Sequence, residues 1–449
     1  SSCVAESIVS TKEGDYLSTW SIEGLSFEGL SKAQALAKMD QFNLLVRSLS
    51  NGHFAFWIHR VRRNIQDRLG VAGNDFSQQM LHRYYKNLEQ GGLMATEIYL
   101  TVIYRPHPQK KYDFFPRISF SATDMLAEIR MAQETLQEID RQINSSLKAY
   151  GPQLLSCYEF NNQRYSTQLE FYAYLINGHW WRIPVKNIPL FHYLAVSRVL
   201  FGDQIMESRD AIGSSFSCFL DLKDYAEFTE PGILNTLLGL NCEYIETQSF
   251  TPLSKPDAIS ALKTQRNQLI AAQDEGLRQI IDLDEALDNI VSGNFALGEY
   301  HYVIALKGAS PQLAKDARAS AIEALQQSGF LPVAIDAVID QAFWSQLPGN
   351  WKNRTRCAKI SSRNFTGLAS LHNFASGKRL GNPWGEAVTI LKTPAKQPFY
   401  FNFHPSPTNE DSFGSKPLAN TQIIGQSGGG KTVLALFLEA NVAKYQAKN

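Results

Sequence analysis

The chain has 449 residues, of which 44% are hydrophobic, enough for the cores of about three globular domains. Lysine plus arginine and aspartate plus glutamate each number 43, so the formal net charge is zero. Proteins that bind nucleic acid generally carry a basic excess or a basic stripe. The balance therefore disfavours a nucleic-acid binder, although a local basic patch would be compatible with it.

The cysteines and the hydropathy pattern indicate a reducing compartment and a chain without a membrane span. The cysteines are odd in number, scattered, and without a C-x-x-C pair; they are Cys3, Cys157, Cys218, Cys242 and Cys357. This pattern fits free buried thiols better than a disulfide or metal framework. No apolar run reaches the roughly 18 residues that span a bilayer, and the best stretch, 190–201, is interrupted by polar residues. We expect a soluble protein that could still sit on a membrane through a partner.

Residues 1–151 have the pattern of an α+β subdomain. Strand-like stretches occur at 16–22, 54–61 and 96–104, and a helix is predicted at 31–48. A longer helix is predicted at 123–150, where apolar residues recur at spacings of three and four. We expect a sheet on one side and helices on the other.

Residues 152–345 repeat this pattern in a second α+β subdomain. One long helix is predicted from 257 to 291, capped by Asp257 and carrying a continuous apolar stripe. A strand at 295–307, a helix at 311–327 and a strand at 329–334 then follow within forty or so residues. This order predicts a crossover unit across residues 295–334.

Residues 346–386 differ in composition from the preceding segments, and residues 387–449 have sequence patterns that are typical of a nucleotide-binding domain. The first segment is rich in glycine, proline, asparagine and aromatic residues, and we interpret it as a linker or a strap between parts of the protein. Strands are predicted at 387–392, 398–404 and 421–424, and a helix follows at 433–444. Between the last strand and this helix lies the most informative motif of the chain.

Residues 425–432 fit the phosphate-binding pattern G-x-x-x-x-G-K-[ST] at every fixed position. Glycines allow positive φ angles and let backbone N–H groups turn inward around a phosphate. The helix that begins at the loop adds the positive end of its dipole. The apolar strand before the motif and the helical pattern after it are the context that the motif requires. The motif predicts a nucleotide triphosphate site.

Each residue of the motif has a predicted role in binding Mg-ATP. Lys431 would reach the β- and γ-phosphates, and the Thr432 hydroxyl would be a ligand of Mg²⁺, so these two are the candidate catalytic residues. The expected nucleotide-binding residues are Gly425, Gln426, Ser427, Gly428, Gly429, Gly430, Lys431, Thr432 and Val433.

The motif lies close to the end of the sequence. Only seventeen residues follow Thr432, whereas a P-loop domain needs further parallel strands, one of them bearing the Walker B acid. We therefore expect the nucleotide domain to be incomplete here and the chain alone to be inactive in ATP hydrolysis.

Three stretches around the motif resemble a known family. They are Leu347-Pro348-Gly349-Asn350, the run from Ser361 to Phe374, and Pro398-Phe399-Tyr400-Phe401-Asn402-Phe403-His404 leading into the P-loop. Together they resemble the CagE/TrbE/VirB family, the large conjugation ATPases of type IV secretion systems. The chain departs from the family pattern at Gly429, where serine is more common.

The resemblance implies a fold, an activity and partners. The implied fold class is α/β: an α+β N-terminal region of sheets with long helices, followed by the start of a RecA-like P-loop NTPase domain. It implies an ATPase that uses ATP and Mg²⁺, peripheral to the cytoplasmic face of the bacterial inner membrane. The implied partners are inner-membrane secretion-channel subunits, other secretion ATPases and further copies of the chain, as a hexamer or a trimer of dimers.

Four other features each have a sharp and a bland interpretation. The basic run 59–63 could contact lipid or DNA, but a solvated strand end paired with acids is favoured. The acidic run 282–288 lacks the spacing of a calcium loop and is interpreted as a solvated helix face. His372 and His404 are interpreted as structural. Trp180 and Trp181 are expected to fill a core, with an interfacial membrane contact as the alternative.

Two other functions remain open from the sequence. The chain could be a structural scaffold of the secretion complex in which nucleotide has a stabilising role. It could also belong to a DNA-translocating ring of the same motor superfamily, which predicts DNA-stimulated turnover with a steep salt dependence. The neutral charge disfavours the second alternative and leaves nucleic-acid binding unsettled.

Overall fold

The computed structural model describes residues 1–71, 75–108, 122–271, 277–407 and 410–445. The helices are α1 (Lys32–Ser48), α2 (Asp75–Gln90), α3 (Ala122–Ser146), α4 (Thr167–Asn177), α5 (Lys255–Ala271), α6 (Leu277–Ser292), α7 (Pro311–Gln327), α8 (Ile339–Ser345), α9 (Ser362–Leu368) and α10 (Lys431–Val442). Within these ranges, none of the helices has both the length and the apolar character required to cross a membrane.

The strands follow the same numbering from the N-terminus. They are β1 (Ser2–Ala5), β2 (Ile8–Ser10), β3 (Tyr16–Ile22), β4 (Leu25–Ser26), β5 (Phe54–Ile65), β6 (Leu93–Tyr104), β7 (Pro152–Leu154), β8 (Cys157–Phe160), β9 (Gln163–Ser166), β10 (Arg198–Phe201), β11 (Met206–Arg209), β12 (Ser214–Asp224), β13 (Glu243–Pro252), β14 (Leu297–Gly308), β15 (Leu331–Ala334), β16 (Ala358–Ser361), β17 (His372–Asn373), β18 (Thr389–Lys392) and β19 (Pro398–Phe401). Helices and strands mix in an α+β arrangement, as the sequence predicted.

The chain divides into two compact units that are discontinuous in sequence. The first unit comprises Ser1–Val61, Glu97–Leu237 and Tyr244–His372, and the second comprises Arg62–Thr96, Leu238–Glu243 and Asn373–Asn449. This grouping differs from the four consecutive segments expected from the sequence. Residues 346–372 lie in the first unit, where Phe365 and Leu368 of α9 are buried. The sequence could not show this because the partners of these side chains are distant along the chain.

The first unit is built on a sheet with the strand order β1-β2-β3-β6-β5-β13-β14-β12-β11-β10. Its central strands β5 and β13 are buried along most of their length. β5 begins with an apolar and aromatic run, whereas the buried residues of β13 include polar side chains such as Glu246 and Gln248. Helix α4 packs against the sheet and contributes Leu169, Phe171 and Leu175 to the core. The N-cap Ser166 and the left-handed C-cap Gly178 fix the ends of this helix.

The predicted crossover unit is confirmed. Strands β14 and β15 both pair antiparallel with β12 and therefore run parallel to each other, with α7 between them in the chain. Helix α7 has the bounds that the sequence predicted, since Ser310 caps it and Pro311 occupies its first turn.

The prediction of one long helix at 257–291 is wrong. The structure has two helices in contact, α5 and α6, and residues 272–276 of the predicted helix lie outside the described residues. Arg266 pairs with Asp284 at 2.8 Å, and Lys255 donates to the Val291 carbonyl at 2.7 Å. The apolar stripe is continuous in sequence because each half packs against the other half, rather than along one extended rod.

The prediction that residues 59–63 form a solvated strand end paired with acids is wrong about solvation, although Arg60 does pair with an acid. His59, Arg60 and Arg62 are buried. Arg60 pairs with Glu246 at 2.7 Å, and His59 bonds to the Gln346 carbonyl at 2.7 Å through Nε2. These polar groups are tolerated in the sheet interior because each has a specific partner. The five cysteines are free thiols, of which Cys218 is buried and Cys357 exposed.

The second unit has its own small core. The antiparallel hairpin β18–β19 and helices α2 and α10 surround it. Leu81, Tyr85 and Leu88 of α2 pack with Ala387 and Ile390 there. Helix α2 was not predicted, although its apolar residues recur at spacings of three and four.

Candidate nucleotide-binding site

The predicted phosphate loop forms a tight turn in the second unit, directly before α10. Gly428 and Gly430 have φ angles of +77° and +78°, in the left-handed region that glycine adopts without strain. Gly430 is the N-cap of α10. Other residue types at these two positions would strain the turn, so the spacing of glycines in the motif is explained by the backbone.

Lys431 folds back over the loop. Its Nζ atom donates to the carbonyl oxygens of Gly425 and Gln426, each at 2.8 Å. The Gly429 N–H donates to the same Gln426 carbonyl at 3.1 Å. The ammonium group is therefore held at the mouth of the turn by neutral carbonyl groups, which leaves its positive charge uncompensated by them.

The first turn of α10 supplies further donors. The first hydrogen bond within the helix runs from the Leu434 N–H to the Gly430 carbonyl at 2.9 Å. The N–H groups of Lys431, Thr432 and Val433 precede it and have no carbonyl acceptor of the helix. Together with the helix dipole, these groups and the ammonium fit an anion such as a polyphosphate. The Thr432 hydroxyl lies on the exposed surface of the same turn, where a hard cation could reach it.

A side chain at Gly429 would require a small adjustment of the loop. A Cβ atom at this position would lie 3.1 Å from the Gln426 carbonyl oxygen. A serine here therefore requires that carbonyl to shift by a few tenths of an ångström, although its φ angle is not left-handed. The glycine leaves the Gln426 carbonyl free to accept from both Lys431 and Gly429.

The predicted strand at 421–424 is not formed among the described residues. Residues 421–426 have no regular secondary structure, and Ile424 is 83% exposed. A strand requires a neighbour for its N–H and C=O groups, and these residues pair with no described strand. The loop and α10 are thus in place without the strand that the motif usually follows.

Helix α10 is anchored in the second unit by its C-terminal half. Leu438 is buried, and the ring of Phe437 lies 4.6 Å from that of Tyr84 on α2. The Tyr445 hydroxyl donates to the Glu386 carbonyl at 2.6 Å. The sequence did not indicate that residues 75–90 support the phosphate loop. The apolar spacing in α2 could have revealed the helix, but not its partner.

The region before the loop is fixed by a charged cluster. Arg379 forms a bidentate pair with Asp67, both bonds being 3.0 Å, and the Tyr400 hydroxyl donates to the same carboxylate at 2.5 Å. Burial alone would raise the pKa of Asp67, but these hydrogen bonds together hold it below its usual value. The cluster ties β19 to the segment after β5 within the second unit.

The two histidines near the motif have structural surroundings. His372 is buried, and burial lowers its pKa to about 4, so it is neutral at physiological pH. One of its ring nitrogens lies 3.1 Å from the amide of Asn235. His404 bonds through Nδ1 to the Pro417 carbonyl at 3.0 Å. Neither contact pairs a histidine with an acid, which agrees with the structural interpretation. Groups of three or more potential metal ligands are absent from the parts of the chain that the structure describes.

Comparison with known proteins identifies the family. Residues 153–356 match the CagE, TrbE, VirB family, component of type IV transporter system. Residues 7–112 match the N-terminal domain of the type IV secretion system ATPase VirB4/TrbE. Together the two matches cover more than half of the chain.

Individual relatives support the same assignment. The type IV secretion system protein virB4 of Brucella melitensis biotype 1 is 41% identical over 98% of this chain and 54% of its own length. PtlC of Bordetella pertussis is 38% identical over 100% of this chain and 55% of its own, and virB4 of Bartonella henselae is 32% identical over 94% and 53%. The chain thus spans about half the length of the curated relatives it matches. It belongs to the CagE/TrbE/VirB family of type IV secretion components.

Proposed function

We propose that the chain is part of an ATPase that energises a type IV secretion machine, and that residues 425–433 bind Mg-ATP. The observation that carries this proposal is the geometry of Lys431. Its ammonium lies within hydrogen-bonding distance of the loop, next to the free N–H groups of the first turn of α10. The family assignment supports it, since relatives are named type IV secretion system proteins.

The residues of the loop have distinct parts in this activity. Lys431 would exchange its two carbonyl partners for the β- and γ-phosphate oxygens, where charge increases during phosphoryl transfer to water. The N–H groups of the loop and of the first helical turn would orient the phosphates. Thr432 would hold Mg²⁺, which supplies further neutralisation of phosphate charge. Catalysis would then rest on position and charge rather than on a covalent intermediate.

We further propose that this chain binds nucleotide but does not sustain turnover alone. Among the described residues, Lys431 donates its hydrogen bonds to carbonyl groups. Hydrolysis in this type of site needs an acid on Mg²⁺ and a group that orients the attacking water. We propose that these groups come from residues outside the 425–433 loop.

The partners and location follow as part of the same proposal. We infer that the protein assembles as a homo-oligomer, such as a hexamer or a trimer of dimers, at the cytoplasmic face of the inner membrane. There the first unit would dock on secretion-channel subunits and other ATPases of the machine. The support is the family: both matched family regions carry type IV secretion in their descriptions and lie largely within the first unit.

The test is a lysine substitution in the full-length protein, with an exposed lysine as the control. Lys431→Ala should lower the rate of phosphate release at least about a hundredfold, since it removes a charge that stabilises the transition state. Lys416→Ala, at an exposed position before the loop, should leave the rate unchanged. Thermal unfolding of both variants should match the parent protein. A folded Lys431→Ala protein with unchanged turnover would refute the proposal.

A further inference from the structure

Residues 179–201 of the first unit, which follow α4 and end with β10, have an unusual charge pattern. The segment contains Arg182, Lys186 and Arg198 but no aspartate or glutamate. In a chain with equal numbers of acidic and basic residues, this is a local excess of positive charge. We call residues 179–201 the basic loop.

Large apolar side chains of the basic loop face solvent. Phe191 is 68% exposed, Val196 58% and Ile188 44%. Trp180, by contrast, packs on the core, with its ring stacked 4.7 Å from that of Tyr174. The interpretation of Trp180 as core is therefore supported, and the three most exposed large apolar side chains of the loop are Phe191, Val196 and Ile188.

The exposed side chains are held on an ordered backbone. Leu190 and Leu194 are buried in the core of the first unit. The buried Asn177 side chain donates to the Leu194 carbonyl at 2.8 Å, and it accepts the N–H groups of Val196 and Ser197, both at 2.9 Å. The Asn177 side chain of α4 thus satisfies three backbone groups of the loop, and the exposure of Phe191 and its neighbours does not result from a lack of structure.

The cations of the basic loop are directed to solvent or to aromatic rings. The Arg182 guanidinium lies 3.8 Å from the centroid of the Phe160 ring, and Lys186 Nζ lies 5.3 Å from that of Tyr193. Arg198 is exposed at the start of β10. Among the described residues, none of these three cations forms an ion pair with a carboxylate, so their charges remain available to an external anion.

We propose that the basic loop binds the surface of an anionic lipid bilayer. Ile188, Phe191 and Val196 would enter the interfacial region, and the three cations would contact lipid phosphates. Three apolar side chains are too small an area for a stable protein interface, which buries at least about 1,200 Å². Shallow insertion with several basic residues nearby is sufficient for peripheral lipid binding. This inference does not depend on the nucleotide site.

The experiment uses the 449-residue chain and vesicle flotation. Vesicles of phosphatidylcholine with about 30% phosphatidylglycerol should bind the chain at low salt, and binding should fall as salt screens the charges. Phosphatidylcholine vesicles should bind it weakly. Lys186→Gln and Arg198→Gln should each lower the partition coefficient about fivefold, and Phe191→Ser should lower it at least as much.

The matched control is another phenylalanine of the first unit. Phe228 is 73% exposed but stands between Glu227 and Glu230, so Phe228→Ser should leave vesicle binding unchanged. Circular dichroism should show all variants to be folded. Absence of binding to anionic vesicles, equal binding to neutral vesicles, or an equal loss in Phe228→Ser would each overturn the proposal, and a protein partner would then be the better occupant.

Discussion

The buried ion pair between Arg60 and Glu246 gives the sharpest test of the first unit. The two side chains are 4% and 1% exposed, and Arg60 Nη1 lies 2.7 Å from Glu246 Oε2. The other carboxylate oxygen accepts a hydrogen bond from Gln248 at 2.9 Å. Burial alone would lower the pKa of Arg60, but the carboxylate keeps it above its ordinary value. Each charge therefore depends on the other.

Arg60→Met should leave Glu246 charged and buried with one neutral donor. Removal of one partner from such a pair typically costs about 3–5 kcal/mol. The double variant Arg60→Met, Glu246→Leu removes both charges and loses mainly the Gln248 bond, about 1 kcal/mol. It should therefore be more stable than the single variant by at least about 2 kcal/mol.

Urea unfolding at pH 7, followed by tryptophan fluorescence, measures these differences. Lys32→Met is the control, since its pair with Glu230 is 68% and 57% exposed and its loss should leave the midpoint unchanged. If the double variant were as unstable as the sum of the two single variants, the charges would be independent of each other. That result would refute the account of the sheet interior.

Two further predictions concern pH and backbone geometry. Burial lowers the pKa of His59 to about 4 and of His301 to about 3, so below pH 6.5 the unfolded chain takes up protons that the folded chain does not. The free energy of unfolding should therefore decrease as the pH falls from about 6.5 to 4, and His59 should account for about 3 kcal/mol of this loss. In the variant His301→Phe, the urea midpoint should depend less on pH. Gly377 has a φ of +65°, and a Cβ there would collide with the Tyr400 carbonyl. Gly377→Ala should destabilise the second unit by more than about 2 kcal/mol, as measured by limited proteolysis. Gly414 has open space around it, so the control variant Gly414→Ala should cost only about 1 kcal/mol.

Local patterns predicted the elements whose signals are local. Strand β3 and helix α7 have the predicted bounds because their signals lie in their own sequence: aromatic and β-branched residues in β3, and an apolar stripe with the Ser310 cap in α7. The turn at residues 425–432 could be predicted for the same reason, since its glycines and Lys431 contact one another within a few residues, while phosphate binding by this turn stays a prediction. The glycine that the motif requires at position 430 has a left-handed φ angle in the structure.

Features that depend on distant residues were not predictable. The sequence alone favours a solvated Arg60, because its partner Glu246 lies 186 positions later in the chain. The apolar stripe of α5 and α6 looks the same in the sequence whether these residues form one extended helix or two helices that fold back on each other. Residues 75–90 gave no sign that they would support α10, because the contact between Tyr84 and Phe437 joins opposite ends of the sequence. The strand before the loop failed because strand formation depends on a neighbouring strand.

Nucleotide binding by this chain tests the central claim most directly. We expect the 449-residue protein to bind a fluorescent ATP analogue in the presence of Mg²⁺, and an excess of ATP should displace it. Lys431→Ala should weaken this binding at least tenfold or so, because it removes the charge that would contact the phosphates, while Lys416→Ala should bind as the parent does. Equal affinity of the folded Lys431→Ala and parent proteins would contradict the assignment of residues 425–433 as the nucleotide site.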